Sequence, residues 1–155
     1  VAPRFDEPGC SLNLAIEDDL TIRADEDEMV QVLLNLIENA LRYGREEGRP
    51  FAVTLFARRA PERDDRWPEE GGVLLGVEDN GRGMEAHHLP RLTERFYRVV
   101  DKVEPAKQGT GLGLSIVRHI LDRHGGRLRV ASAPGRGTTC LVWLPPVGAL
   151  PAENS

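Results

Sequence analysis

The chain has 155 residues, enough for one globular domain that buries a real core without staples. Lysine and arginine number 20 against 25 acidic residues, and the resulting net charge of −5 excludes the basic footprint of a nucleic-acid binder. Cys10 and Cys140 stand in no ligand spacing and no apolar run approaches the roughly 20 residues that span a bilayer, so the expectations are free thiols, a soluble cytoplasmic domain and no direct membrane contact.

Residues 11–16 and 20–24 read as two short strands around an acidic turn at Glu17, Asp18 and Asp19. Asp25, with Glu28 three residues on, is a variant of the helix-capping pattern. The helix it opens is expected over residues 26–43. There Met29, Leu33, Leu36, Ile37, Ala40 and Leu41 make a broad apolar stripe, and Gly44 stops it. Residues 51–58 read as a strand, and residues 59–72, charged and holding two prolines, as an exposed loop. Residues 73–78 are an apolar run suited to a central strand, followed by a glycine-punctuated turn over 79–83. The end of that strand is expected to put Asp79 at the edge of the sheet. A short helix is expected near 85–91, and 96–108 has no clean period and reads as mobile. The glycine-rich stretch 109–113 opens a helix over 112–124 that Gly125 and Gly126 end. Residues 127–132 and 138–144 read as strands joined through Pro134, Gly135, Arg136 and Gly137, and residues 145–155 as a frayed tail. The sum is an α+β domain, a two-layer sandwich with helices on one face of a mixed, mostly antiparallel sheet.

Three segments carry candidate chemistry. On the first helix Asn35, Asn39, Arg42 and Tyr43 share one face. Asparagine competes with the helix backbone and is a poor helix former. Two of them one turn apart in leucine-rich sequence point to a ligand, and an amide oxygen suits Mg²⁺; a pair of buried structural amides is the alternative. Next, Asp79, Asn80, Gly81, Arg82 and Gly83 follow an apolar strand. The glycines let backbone approach a planar ligand, and the carboxylate can accept from an exocyclic amine such as that of adenine; an ordinary acidic turn is the alternative. Third, Gly109, Thr110, Gly111, Leu112, Gly113 and Leu114 precede a helix, where backbone N–H groups make an anion site. No Gly-Lys-Ser/Thr follows and no strand feeds the loop directly, so it is neither a Walker loop nor a dinucleotide fingerprint.

Taken in order, these segments resemble the nucleotide-binding region of the gyrase, histidine kinase and mismatch-repair ATPase superfamily. Asn35 to Ala40 resembles its N box, Asp79 to Gly83 its G1 box and Gly109 to Leu114 its G2 box, while Glu94, Arg95, Phe96, Tyr97 and Arg98 resemble the F box of sensor kinases. The likeness spans roughly residues 10 to 146. The stretch from Pro90 to Val99 is similar to the phosphate-regulon sensor kinases, with Val100 as an apparent insertion before Asp101 and Lys102. The resemblance implies the Bergerat fold, with ATP under a mobile lid. It implies Asn39 as the Mg²⁺ ligand and Asn35 as support for the metal and phosphates. Asp79 is implied for the adenine amine, with Gly81 and Gly83 leaving room for the base, and Arg42 and Tyr43 flanking the nucleotide. Arg98, Lys102 and Lys107 are the implied lid contacts to phosphate, with Gln108 and residues 109–114 completing the phosphate loop. Asn35, Asn39, Arg42 and Arg98 are the residues expected to carry catalysis.

One position separates the chemistries of this superfamily. Its ATPases and serine kinases carry a glutamate as general base four residues before the magnesium asparagine; here that residue is Asn35, and an amide does not take a proton at neutral pH. Glu38 lies about 100° round the helix from Asn39, at a position where sensor kinases also carry an acid. The expectation is a protein-histidine kinase domain that binds Mg·ATP, hydrolyses it poorly and hands the γ-phosphoryl to a histidine elsewhere. Of the four histidines, His87, His88, His119 and His124, none lies in a phosphoacceptor-like segment, and surface or capping roles are expected. The partners implied are the dimerisation and histidine phosphotransfer domain of a parent kinase and a response regulator. The piece itself is expected to be a monomer that does not autophosphorylate, and the parent a homodimer, with a bacterial inner-membrane anchor left open. In this reading residues 1–9 are a linker, 10–146 the catalytic domain and 147–155 a disordered tail. The alternatives are a hydrolytic ATPase module of the same fold and a degenerate module that binds partners without catalysis.

Overall fold

The computed structural model describes residues 9–44, 48–84 and 113–147. The expected linker over 1–8, the helix near 85–91, the F box, the segment 96–108, the loop over 109–112 and the tail from 148 lie outside the described residues. Seven elements follow in chain order: β1 (Cys10–Ile16), α1 (Glu26–Tyr43), β2 (Phe51–Arg59), β3 (Val73–Asp79), α2 (Gly113–Arg123), β4 (Arg127–Ser132) and β5 (Thr138–Leu144). The strands form one sheet in the order β1-β2-β3-β5-β4, with β1 and β2 parallel and the other three pairings antiparallel. This is the expected α+β arrangement, with the apolar run at 73–78 in the central strand. Among the described residues no helix is long and apolar enough to cross a membrane.

The main core lies between the helices and one sheet face. Val32 and Leu36 of α1, Val117 and Leu121 of α2, and Val53, Val77 and Val142 of the sheet are all nearly inaccessible. Each such side chain contributes about 1.5–3 kcal/mol of burial, which ties both helices to the strands that carry the site. Asp25 caps α1 by accepting the Glu28 N–H at 2.9 Å. The reciprocal half of a capping box is absent: Glu28 pairs with Arg123 of α2 instead. The Asp25 N–H donates to His124 Nε2 at 3.1 Å, while His124 Nδ1 donates to the Ile120 carbonyl at 2.8 Å. His124 is thus the capping histidine foreseen, and it clasps the start of α1 to the end of α2. His119 is exposed.

Two expectations need correction. Residues 20–24 form no strand; the segment leaves the sheet edge for α1, anchored by Ile22 and Ala24 in the core rather than by pairing. Arg59 belongs to β2, and the connection after it is not merely exposed. Its Ala60 and Trp67 return over the second face of the sheet and join Phe56, Leu74, Leu141 and Trp143 in a separate core. Trp67 stacks on Trp143 with centroids 6.1 Å apart and planes at 7°, and Trp143 Nε1 donates to the Gly71 carbonyl at 2.9 Å. Arg66 covers Trp67 at 5.1 Å. Side-chain and backbone hydrogen bonds from Arg66 hold the Asp64 carboxyl down at about 2. Gly44 ends α1 as expected, in right-handed conformation (φ −95°, ψ −34°), and close packing leaves no room there for a side chain. Asp79 is the last residue of the central strand, as the apolar run before it implied.

Candidate functional site

The end of β3 is the centre of the site. Asp79 pairs with Val53 of β2 and Thr138 of β5 and is only 6 % exposed. Its Oδ1 accepts the Gly81 N–H at 2.8 Å, and the Thr138 N–H is a second donor. Burial pushes the carboxyl up to about 6, against these two hydrogen bonds, which pull it down; the neighbouring Glu78 charge adds to the rise. A buried carboxylate with only part of its acceptor capacity used is a ready partner for a donor on a ligand.

The turn after Asp79 is packed backbone on backbone. A Cβ on Gly81 would stand 2.2 Å from the Gly44 carbonyl oxygen, and one on Gly83 would stand 2.0 Å from that of Ala133. Real side chains do not tolerate such distances, so the fold itself requires these glycines whatever they offer a ligand. The Arg82 N–H donates to the Gly44 carbonyl at 2.9 Å, and the Gly135 N–H to the Arg82 carbonyl at 2.7 Å. The Asn80 side chain accepts the Ala52 N–H at 2.8 Å and closes the end of β2. The turn is therefore knitted to the end of α1 on one side and to the β4–β5 turn on the other.

From that junction α1 runs back like a ruler. At 1.5 Å per residue, Asn39 lies about 7.5 Å and Asn35 about 13.5 Å along the axis from Gly44. Both asparagines are half-buried. The Asn35 Nδ2 is fully buried and has no partner among the described residues, an orphan that a phosphate oxygen would satisfy. Arg42 is exposed and sits 3.6 Å from Glu38 in an i,i+4 pair; such surface pairs are weak, so Arg42 is readily released to an anion. Tyr43 closes α1. Gly113 opens α2, whose first turn holds no acidic residue, so no acid of that turn offsets the positive end of its dipole. Leu114 is buried in the core, and its means of meeting a ligand is its backbone N–H. Arg98, Lys102, Lys107, Gln108, Gly109, Thr110, Gly111 and Leu112 lie outside the described residues.

The donor set fits a nucleotide: acceptors at Asp79, neutral amides about one and a half and two and a half turns along α1, and a helix start without acidic residues in its first turn. Among the described residues no cluster of His, Cys, Asp and Glu could hold a metal. A cation here would rest on the Asn39 amide oxygen and on ligand phosphates, the manner of Mg²⁺. Sequence spacing does not single out Gly44, Ser132, Gly137 or Thr138, which complete the walls. Gly137, with φ +82°, passes so close to Asp79 that a Cβ would stand 2.0 Å from its carbonyl oxygen. The Ser-x-Pro-Gly-x-Gly-Thr turn was the available signal.

Residues 24–148 match the family described as histidine kinase-, DNA gyrase B-, and HSP90-like ATPase. The phosphate regulon sensor protein PhoR of Pseudomonas aeruginosa is 39 % identical over 133 residues, 86 % of this chain and 27 % of that protein. Sensor protein SrrB of Staphylococcus aureus is 40 % identical over 121 residues, 78 % of this chain and 19 % of that protein. The chain thus spans about a quarter or less of these relatives. Among solved structures, the mycobacterial sensor histidine kinase MprB superposes with a TM-score of 0.68 at 24 % identity, covering 87 % of this chain and 82 % of that one. Full-length ShkA in complex with AMPPNP gives 0.64 at 29 % identity, covering 87 % of this chain and 25 % of that one.

Proposed function

The chain belongs to the family of histidine kinase-, DNA gyrase B- and HSP90-like ATPases, and from that premise we propose that it is the catalytic domain of a two-component sensor histidine kinase that binds Mg·ATP and donates the γ-phosphoryl. The observation that carries the reading is the buried Asp79 carboxylate at the foot of α1, the helix that also carries the orphaned amide of Asn35 about two and a half turns away. Asp79 accepts from the adenine amine. Asn39 would hold a metal through its amide oxygen, and Asn35 would donate to the phosphates. Arg42 and Tyr43 flank the nucleotide, the α2 N-terminus receives phosphate through Gly113 and Leu114, and Gln108 to Leu112 with Arg98, Lys102 and Lys107 complete the phosphate side. Mg²⁺, when bound, neutralises phosphate charge.

The chain's own residues position and neutralise; none supplies a general base on α1, because Asn35 stands where hydrolytic relatives carry a glutamate. The acceptor is a neutral imidazole, whose nitrogen forms the new bond to phosphorus as the bond to the ADP oxygen breaks. That imidazole comes from a separate dimerisation and phosphotransfer domain, and the phosphoryl then passes to a response-regulator aspartate. ShkA, solved with AMPPNP, supports a nucleotide ligand at this fold. Calorimetry with a non-hydrolysable ATP analogue, with and without Mg²⁺, tests the reading: binding strengthened by the metal is expected. Protein that ignores both ATP and ADP at millimolar concentration overturns it. Steady-state phosphate release would move the assignment to a hydrolytic module.

A further inference from the structure

Ile16, which ends β1, lies in one cross-strand row with Ala57, Leu75, Val142 and Leu128, the second residue of β4. α1 follows β1 and α2 precedes β4. The start of α1 and the end of α2 therefore meet at that end of the sheet, where the Asp25 N–H donates to His124 Nε2 at 3.1 Å. Asp79 and Thr138 pair in the row at the opposite end. Measured from the His124 clasp, Asn35 lies about 15 Å along α1 and Gly113 about 16.5 Å along α2. The two groups assigned to phosphate thus stand at matching distances from one hydrogen bond.

That bond replaces half of a capping box, in which Glu28 would take the Asp25 N–H. Glu28 is turned to Arg123 instead, with side chains 30 % and 45 % exposed, and such pairs are weak. The His124 side chain is only 12 % exposed. A backbone N–H can only donate, so Nε2 is bare and the ring proton sits on Nδ1, toward the Ile120 carbonyl at 2.8 Å. Val32, Leu36, Val117 and Leu121 share the core between the helices, but apolar burial has no direction. A hydrogen bond weakens steeply once bent or stretched. We propose that His124 is a positioning residue: its clasp on Asp25 fixes the axial register of α1 against α2, and so brings Asn35 and the α2 N-terminus level for one phosphate chain. It rests on the nucleotide reading and deepens it.

Calorimetry on the full chain compares an ATP analogue with adenosine, which shares the base and carries no phosphate; adenosine is read by displacement of the analogue. In His124→Ala the analogue-over-adenosine ratio is expected to fall roughly three- to tenfold, the worth of about one hydrogen bond. The Asp79 end stays in place, because Gly44 and the glycine turn hold it. Two further variants separate the bonds of the ring. His124→Gln reaches the Nε2 position, can accept from Asp25 and is expected to keep the wild-type ratio. His124→Asn reaches only the Nδ1 position and keeps the bond to Ile120 within α2. Its ratio is expected to fall as in His124→Ala, and it decides the matter if the alanine variant does not fold. Long-range ¹⁵N spectra of the imidazole are expected to show the Nδ1–H tautomer. The Nε2–H tautomer, a wild-type ratio in His124→Asn, or a glutamine variant no better than alanine overturns the proposal. Each of these leaves the nucleotide reading intact so long as wild type binds the analogue; wild type that binds neither ligand overturns both.

Discussion

Gly44 and Asp79 meet where the first helix ends over the central strand: a Cβ on Gly44 would stand 2.9 Å from Asp79 Oδ1, 2.8 Å from the Ala40 carbonyl oxygen and 3.0 Å from the Phe51 ring. The missing methyl is what lets the helix settle onto the carboxylate. Gly44→Ala is expected to cost about 1–3 kcal/mol through overpacking and to weaken nucleotide binding by displacing Asp79. Urea denaturation with parallel calorimetry checks this; a variant as stable as wild type would show that the contact is slack.

Asp79 predicts a pH dependence of defined sign. Its carboxyl is raised from the ordinary aspartate value of 3.8 to about 6 by burial. Between those values the folded state holds more protons than the unfolded one, so stability falls as pH rises. Relative to Asp79→Asn, wild type is expected to be intact near pH 4 and to lose up to about 3 kcal/mol by pH 7.5, at roughly 1.4 kcal/mol per unit. Binding runs the other way. The ionised carboxylate is the better acceptor, so affinity for an ATP analogue is expected to rise with pH through about 6, with proton release on binding. The variant is expected to bind weakly throughout and, since the phosphates titrate equally in both proteins, to lack that rise. Denaturation and titration curves at several pH values decide both.

The asparagines of α1 are expected to trade stability for function. Asn39→Ala should abolish the Mg²⁺ dependence of binding while the helix gains up to about 0.7 kcal/mol of propensity. Asn35→Ala should gain more, about 1–3 kcal/mol, because it also removes a buried amide without a partner among the described residues. Thermal melts and metal titrations of the two variants are the measurement. Destabilisation of both would return them to the structural amides that their sequence alone also allows.

Trp67 offers the complementary case. Trp67→Ala strips a stacked ring from the second core and is expected to cost about 3–5 kcal/mol. The affinity of the remaining folded protein for nucleotide should be unchanged, because that core lies on the sheet face away from α1 and α2. Denaturation curves and binding isotherms on the same preparation test both halves.

What sequence could and could not foretell divides by range. The stripe from Met29 to Leu41 and the cap at Asp25 set α1 locally, and the apolar run ending at Asp79 marks its own strand. These are signals within a few turns of chain. The role of Gly44 depends on what lies across from it, which no local pattern encodes. Ser132 and Thr138 join the site only because β5 pairs with β3 in one register, bringing residues 79 and 138 together. Trp67 is hidden among charged neighbours, and its burial follows from where Trp143 waits on the sheet. Residues 20–24 look strand-like by composition, but they serve as the path from the sheet edge to the helix layer.

The chain's two tryptophans, Trp67 and Trp143, are the stacked pair itself. Intrinsic emission at indole wavelengths therefore comes wholly from the rear of the sheet. It should change sharply when the rear core melts and stay nearly silent when a ligand enters at the helix side. An optical titration by that signal would mistake a full site for an empty one, whereas a tryptophan introduced beside the glycine turn would give the front face a voice of its own.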